Sequence, residues 1–203
     1  MDCIIKSLKL KLGKGTNRIF NLLVFTFETL WGFITLQNNF ELRYMYKKQF
    51  EIRWSDVDAN SHLANSAYTN FMSHARMSFF AEQGFSMPEI MKHNIGPVVF
   101  YEHMYYFKES FIGTPITVTI EVSGLSEDGM LFQFEHNFYN HKGENLAFCE
   151  MQGAWIDLKA RKLTQLPEPL MELANKFPKS ESFKILTKAD TRKHGVRPQT
   201  LEV

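Results

Sequence analysis

Asp56 and Asp58 stand two residues apart, followed by His62 and Asn65, in the run Trp54-Ser-Asp-Val-Asp-Ala-Asn-Ser-His-Leu-Ala-Asn-Ser-Ala-Tyr68. A carboxylate in such a run can serve as a general base or a nucleophile if a nearby group stabilises negative charge developing on a substrate oxygen. The flanking residues say where that group would come from. Phe50, Ile52 and Trp54 alternate with Glu51 and Arg53, the period of a half-buried strand. Tyr68, Met72, Ala75 and Phe79 then recur at helical spacing, joined by Ala67 and Phe71, until Gly84 stops the helix. Asn65 and Ser66 are the N-cap candidates, because their side-chain oxygens can accept from the first free backbone N–H groups. The aspartates therefore lie in a loop that feeds an electropositive helix N-terminus rich in unpaired donors. The plainer alternative is that Asp56 and Asp58 only make an Asx turn or a cap.

On these residues the run resembles the start of the central helix in hotdog-fold acyl-CoA thioesterases of the 4-hydroxybenzoyl-CoA thioesterase type. The resemblance covers about residues 46 to 170. It implies that Asp58, the second aspartate of the pair, is catalytic, and that a backbone N–H near Asn65 polarises the thioester carbonyl. Some bacterial members carry a second catalytic histidine at the position of Asn65; here the histidine sits three residues earlier, at His62, as a candidate to orient substrate or Asp58. A thiolate departs readily, so one carboxylate and one oxyanion site suffice for hydrolysis, with Asp58 as general base or as nucleophile. The resemblance further implies an acyl-CoA or acyl-carrier-protein thioester as substrate, no metal or organic cofactor, and a homodimer or homotetramer with sites at the subunit interface. Fold does not fix function, and the rival reading is a non-catalytic acyl-thioester or lipid binding module on the same fold.

Other chemistries find little in the sequence. Asp56, Asp58 and Asn60 imitate the start of a calcium-binding loop, but Ser61 replaces the turn glycine and Ala67 the bidentate glutamate. No G-x-S-x-G elbow, G-x-G-x-x-G or P-loop occurs. A net charge of +1 gives no general electrostatic reason to bind nucleic acid. The two cysteines, Cys3 and Cys149, exclude a disulfide framework and fit a reducing, cytoplasmic setting. Cys149 reads as a small buried hydrophobe.

The remaining chain supplies the elements that position the site. Residues 1–44 lack Ala and Pro and carry six basic against three acidic residues. They read as an extension preceding a native start at Met45, with a membrane anchor or a signal peptide as alternatives; Glu28 in mid-span opposes the anchor. After the long helix, Phe85–Ile95 suggests a short second helix with Pro88 in its first turn. Val98–Phe107 is a strand bulky on both faces, hence expected in the centre of a sheet. Ile116–Ser123 alternates apolar and polar residues, as for a strand with one wet face, and Ser126–Gly129 is a hairpin signal. Phe132, Phe134, His136 and Phe138 share one face of the returning strand. Asn145–Leu158 is the last long strand, with a bulge expected at Gly153. One long apolar helix followed by an antiparallel meander is best satisfied by an α+β hotdog fold, a sheet curled around that helix. The thioesterase domain is expected over 45–177, with a terminal helix within 167–177 and a loosely held charged tail over 178–203.

Overall fold

The computed structural model describes residues 45–202. The readings of 1–44, and with them the anchor and signal alternatives, lie outside the described residues. Within them, strand β1 (Tyr46–Phe50) leads through a 3-10 turn (Trp54–Asp56) into helix α1 (Asn65–Glu82). Helix α2 (Met87–Lys92) follows, then strands β2 (Ile95–Tyr106), β3 (Ile116–Leu125), β4 (Leu131–Tyr139) and β5 (Asn145–Asp157). A two-residue strand β6 (Lys162–Leu163), helix α3 (Glu168–Ala174) and strand β7 (Lys179–Ile185) complete the order.

The sheet runs β1-β3-β4-β5-β2, antiparallel throughout, with β6 added to β5 and β7 pairing parallel with the far half of β3. Its concave face is shaped by α1. Tyr68, Phe71, Met72, Ala75, Phe79 and Phe80 are all buried, as their spacing requires. Their rings reach strands across the sheet: Phe71 stacks on Phe50 of β1 at 4.8 Å, Phe79 meets Phe134 of β4 at 6.0 Å, and Phe80 meets Trp155 of β5 at 5.7 Å. At the far edge Tyr68 meets Tyr106 of β2 at 5.3 Å. One helix about 10 Å across can touch both edges of a five-strand path only if the sheet wraps it.

Four expectations need correction. β2 is an edge strand, not a central one, because it pairs with β5 alone. Its bulk on both faces instead leaves Phe100, Tyr105 and Tyr106 between 39% and 53% exposed. The polar face of β3 is not wet: Thr119, Glu121 and Ser123 are buried, and Ser123 Oγ accepts from Gln133 Nε2 at 3.1 Å. The bulge expected at Gly153 lies in the partner strand. Gly153 pairs with Val99 and Gln152 with Tyr101, so Phe100 is the extra residue. Lys179–Ile185, expected in a loosely held tail, forms β7, and the adjoining Leu186 is buried against Leu131 and Ala154. Its alternation was masked by five charged or serine positions in seven residues.

Gly153 earns its place through close approach rather than flexibility. A Cβ there would stand 2.4 Å from the Val98 carbonyl oxygen and 2.6 Å from the Phe132 ring. Gly153→Ala should therefore cost about 1–3 kcal/mol through overpacking, measured as a lower urea midpoint with an unchanged slope.

Candidate active site

The loop between β1 and α1 is built by two aspartates with different duties. Asp56 is buried and faces backwards. Its Oδ2 accepts from Arg53 Nε at 3.0 Å and from the Arg53 backbone N–H at 2.9 Å, while Oδ1 accepts from Arg53 Nη2 at 3.2 Å. These hydrogen bonds from Arg53 hold its carboxyl below the usual carboxylate range. Its backbone carbonyl takes the Ala64 N–H at 2.9 Å, fixing the distance between the 3-10 turn and the start of α1.

Asp58 is exposed at the tip of the loop. Its Oδ1 accepts the backbone N–H of Asn60 at 2.8 Å and of His62 at 3.2 Å. Its own N–H donates to the His62 carbonyl at 2.9 Å, and its carbonyl accepts from Ser61 at 3.0 Å. The chain thus doubles back on itself, and a Val57–Leu63 bridge closes the small loop. The reversal sets Ser61 at φ 62°, in the left-handed region that costs a non-glycine residue about 1–2 kcal/mol. All of the loop's demands on Asp58 fall on Oδ1. Oδ2 has no hydrogen-bond partner among the described residues.

His62 goes elsewhere than expected. Its Nε2 lies 2.8 Å from Glu109 Oε2, and its ring meets Phe111 edge-on at 5.1 Å. Backbone bonds reinforce the link: Leu63 N–H donates to the Ser110 carbonyl at 2.8 Å, and His62 bridges Phe111. His62 therefore ties the Asp58 loop to the connection between β2 and β3 by its side chain, and to Asp58 by its backbone. Glu109 escaped sequence reasoning because a lone glutamate in a polar connection, 47 positions from its partner, carries no periodic or motif signal.

The helix start also differs in detail. Ala64, not Asn65 or Ser66, occupies the N-cap, and no side chain caps the helix. Asn65 is the first helical residue, and its Oδ1 takes the Ser66 N–H at 3.0 Å. The Asn65 backbone N–H is left without an acceptor among the described residues, the feature an oxyanion site needs. An alanine cap is a stability loss of about 0.5–2 kcal/mol relative to Ser or Asp; the Ser66 N–H turns to Asn65 Oδ1 and the Ala67 N–H to the Ala64 carbonyl at 2.9 Å.

Beneath the helix lies a second polar group. Arg76 is buried, with Nη2 at 3.3 Å from Glu102 Oε1 and 3.1 Å from Ser73 Oγ. Burial lowers its pKa against the opposing pull of Glu102. His136 is fully buried between strands, and burial followed by the Arg76 charge pushes its pKa well below the ordinary value, so it is neutral. Cys149 is a buried free thiol pushed up to about 12 by burial, hence unreactive. Among the described residues no three His, Cys, Asp or Glu side chains gather as metal ligands, and no helix is long and apolar enough to cross a membrane.

An antiparallel sheet wrapped around one central helix, with a carboxylate loop at the helix start, defines the hotdog class. The sequence matches the thioesterase-like superfamily over residues 52–173, and the chain belongs to that family. Solved structures agree on the fold. The chain is similar to a DHNA-CoA thioesterase from Staphylococcus aureus, at 21% identity and TM-score 0.60, over 65% of this chain and 89% of that one. It is similar to the protein SAV2348 of the same organism, solved in complex with CoA, at 17% identity and TM-score 0.63, over 77% and 96%. The probable thioesterase YbaW of Escherichia coli follows at 23% identity and TM-score 0.58, over 66% and 99%. No curated protein matches the chain by sequence.

The division of labour between the aspartates is testable at Asp56. Asp56→Asn should lower Tm by a few degrees while leaving the backbone hydrogen bonds to Asp58 in place. Because the folded pKa of Asp56 is depressed, its stabilisation is present above the unfolded carboxylate pKa of about 4 and fades as pH falls through the lower folded value. The Tm gap between wild type and variant, followed by calorimetry from pH 7 downwards, should close in that acidic window.

Proposed function

We propose that the protein is an acyl-CoA thioesterase in which Asp58 performs the chemistry. The observation that carries this reading is the split of its carboxylate: Oδ1 is held by two backbone N–H groups and Oδ2 is free, beside a helix whose first N–H has no acceptor. The thioester carbonyl oxygen points to the Asn65 N–H, which stabilises the oxyanion of the tetrahedral intermediate. Acting as a base, Asp58 Oδ2 takes a proton from water as the water oxygen bonds to the carbonyl carbon. The carbon–sulfur bond then breaks and the thiolate leaves. Acting as a nucleophile, Oδ2 bonds to the carbonyl carbon, the thiolate leaves, and water hydrolyses the mixed anhydride. His62 and Glu109 position the loop in either course. Membership of the thioesterase-like superfamily supports a thioester substrate, and the CoA bound to SAV2348 supports CoA as its carrier.

The site is completed by a second copy. Tyr106 and Phe107, at the end of the edge strand β2, are 53% and 57% exposed, and Phe111 beside His62 is 46% exposed. A free edge carrying aromatic residues is a strong candidate for isologous pairing. Sedimentation at micromolar concentration should give at least a dimer; a fully active monomer would remove the interface from the mechanism.

Asp58→Asn is the decisive variant. Asparagine keeps an oxygen for the Asn60 and His62 N–H groups, so the loop survives, while basicity and nucleophilicity are lost. Hydrolysis of acyl-CoA, followed by thiol release, should fall by at least about a hundredfold with KM little changed. Wild-type turnover in the folded variant would return Asp58 to a purely structural role. Absence of hydrolysis by the wild type across acyl chain lengths would favour the binding-module reading.

A further inference from the structure

After α3 the chain turns back across the face of the sheet that points away from α1. On β4 and β5 the core-facing residues are Phe134, His136, Cys149 and Met151, so the period of two sends Glu135 and Glu150 to the other side. The two carboxylates stand opposite each other in register, an arrangement that like charges disfavour. The C-terminal segment gives each its own partner: Ser182 Oγ donates to Glu135, and Lys193 pairs with Glu150. Leu186 packs on Leu131 and Ala154, and the His194 ring stands edge-on to Tyr101 and His103 of β2, each at 5.1 Å. Residues 182–194 thus cross the outer face from β4 to the edge strand β2. The superfamily match ends at residue 173, so this cover lies beyond it.

The segment brings more positive charge than the face beneath it uses. Residues 179–203 hold six basic and three acidic residues, against eleven basic and sixteen acidic over 45–178. Lys184 pairs with Asp190, Lys193 with Glu150, and Lys179 lies over the Phe183 ring at 4.5 Å. Lys188, Arg192 and Arg197 are exposed and have no carboxylate partner among the described residues. They line one cleft beside β2, which gathers them on one side. Apolar side chains stand out among them: Ile185, Val196 and Leu201 are 54%, 74% and 81% exposed. Free cations interleaved with outward apolar residues suit a lipid interface, where apolar chains enter the acyl boundary and cations meet headgroup phosphates.

We propose that the C-terminal segment docks the protein on an anionic lipid surface, through Lys188, Arg192 and Arg197 with Val196 and Leu201. The rest of the domain is acidic, so the approach an anionic surface rewards is the one that turns the outer face of the sheet to the bilayer. The contact uses no group of the Asp58 loop, which lies at the start of α1 on the opposite face, and it does not depend on the thioester chemistry. A second copy paired antiparallel on β2, as proposed above, reinforces it. The twofold axis of such a ladder is perpendicular to the sheet, so both outer faces and both basic segments fall on the same side. A flat bilayer engages the two together. Each cation near an anionic surface contributes roughly fivefold to partitioning, so three contribute on the order of a hundredfold per copy.

The test is co-sedimentation of the full chain with vesicles of phosphatidylcholine alone and of phosphatidylcholine with about one-third phosphatidylserine. Wild type should pellet with the anionic vesicles and not with the neutral ones. It should be released as salt rises from about 0.1 M to about 1 M, where the screening length falls from about 10 Å to about 3 Å. The Lys188→Gln/Arg192→Gln/Arg197→Gln protein should lose on the order of a hundredfold in partitioning. These three side chains are exposed and make no ion pair among the described residues, so its Tm and sedimentation coefficient should match wild type. Leu201→Ser should weaken binding by about tenfold and leave its salt dependence in place. Wild type that ignores phosphatidylserine would overturn the proposal. So would a triple variant that pellets like wild type, since the lipid contact would then lie elsewhere in the chain, residues 1–44 included. Retention on a soluble polyanion such as heparin, without vesicle binding, would assign the cations to an acidic macromolecule and overturn the lipid reading as well.

Discussion

The constraint on which this structure depends is the burial of one aromatic helix face by a single sheet. Phe79 and Phe80 of α1 are the centre of it, in contact with rings from β1, β4 and β5 and with Phe85 and Phe177 beyond the helix. Fully burying each such ring contributes about 1.5–3 kcal/mol, so the helix cannot be displaced without losing much of the fold's net stability. The helix axis is thereby fixed, and so is its N-terminus. The loop of Asp58 inherits its position from this helix together with its ties to the β2–β3 connection. Polar residues on the same face are admitted only with partners or without charge. Arg76 has Ser73 and Glu102, while His136, beside it, is kept neutral. A protonated His136 would put a second cation next to Arg76 in the buried interior.

What was legible in the sequence follows from this hierarchy. The helical period of Tyr68, Met72, Ala75 and Phe79 is a strong signal because the whole face is buried, and the strands of the meander announced themselves through Asp128-Gly129 and Gly143 turns. Signals failed where pairing, not periodicity, decides. Bulk on both faces of β2 was read as central burial, yet the same bulk serves an edge that awaits a partner. The polar alternation of β3 was read as wetting, yet Ser123 and Gln133 satisfy each other under cover. β7 was hidden because it carries no continuous apolar stripe of its own and is anchored by Phe183 against the core and by the adjoining Leu186 against Gly124, Leu131 and Ala154.

At the site the legible part was residue type and the illegible part was geometry. Asp58 and Asn65 could be named from the run that contains them. The actual cap, Ala64, could not, because alanine is the choice propensity least predicts there. His62 could be named from the same run, but its side-chain partner is Glu109, a contact that exists only once β2 has returned the chain to the helix start.

The two readings of Asp58 that compete at the level of sequence, turn-former and catalyst, do not compete in three dimensions. A carboxylate has two oxygens and about four acceptor positions. The loop uses one oxygen for two backbone donors, which orients the carboxylate plane and leaves the second oxygen open. Asp56 shows the contrast. Its two oxygens are both held by the Arg53 guanidinium, and its pKa is lowered accordingly, which makes it a poor base however well placed. The Asx turn therefore orients the Asp58 carboxylate and leaves Oδ2 open, so a turn-forming role does not exclude the chemistry proposed for it. An asparagine in its place would preserve the aim and remove what is being aimed, so geometry and chemistry can be separated at a single position.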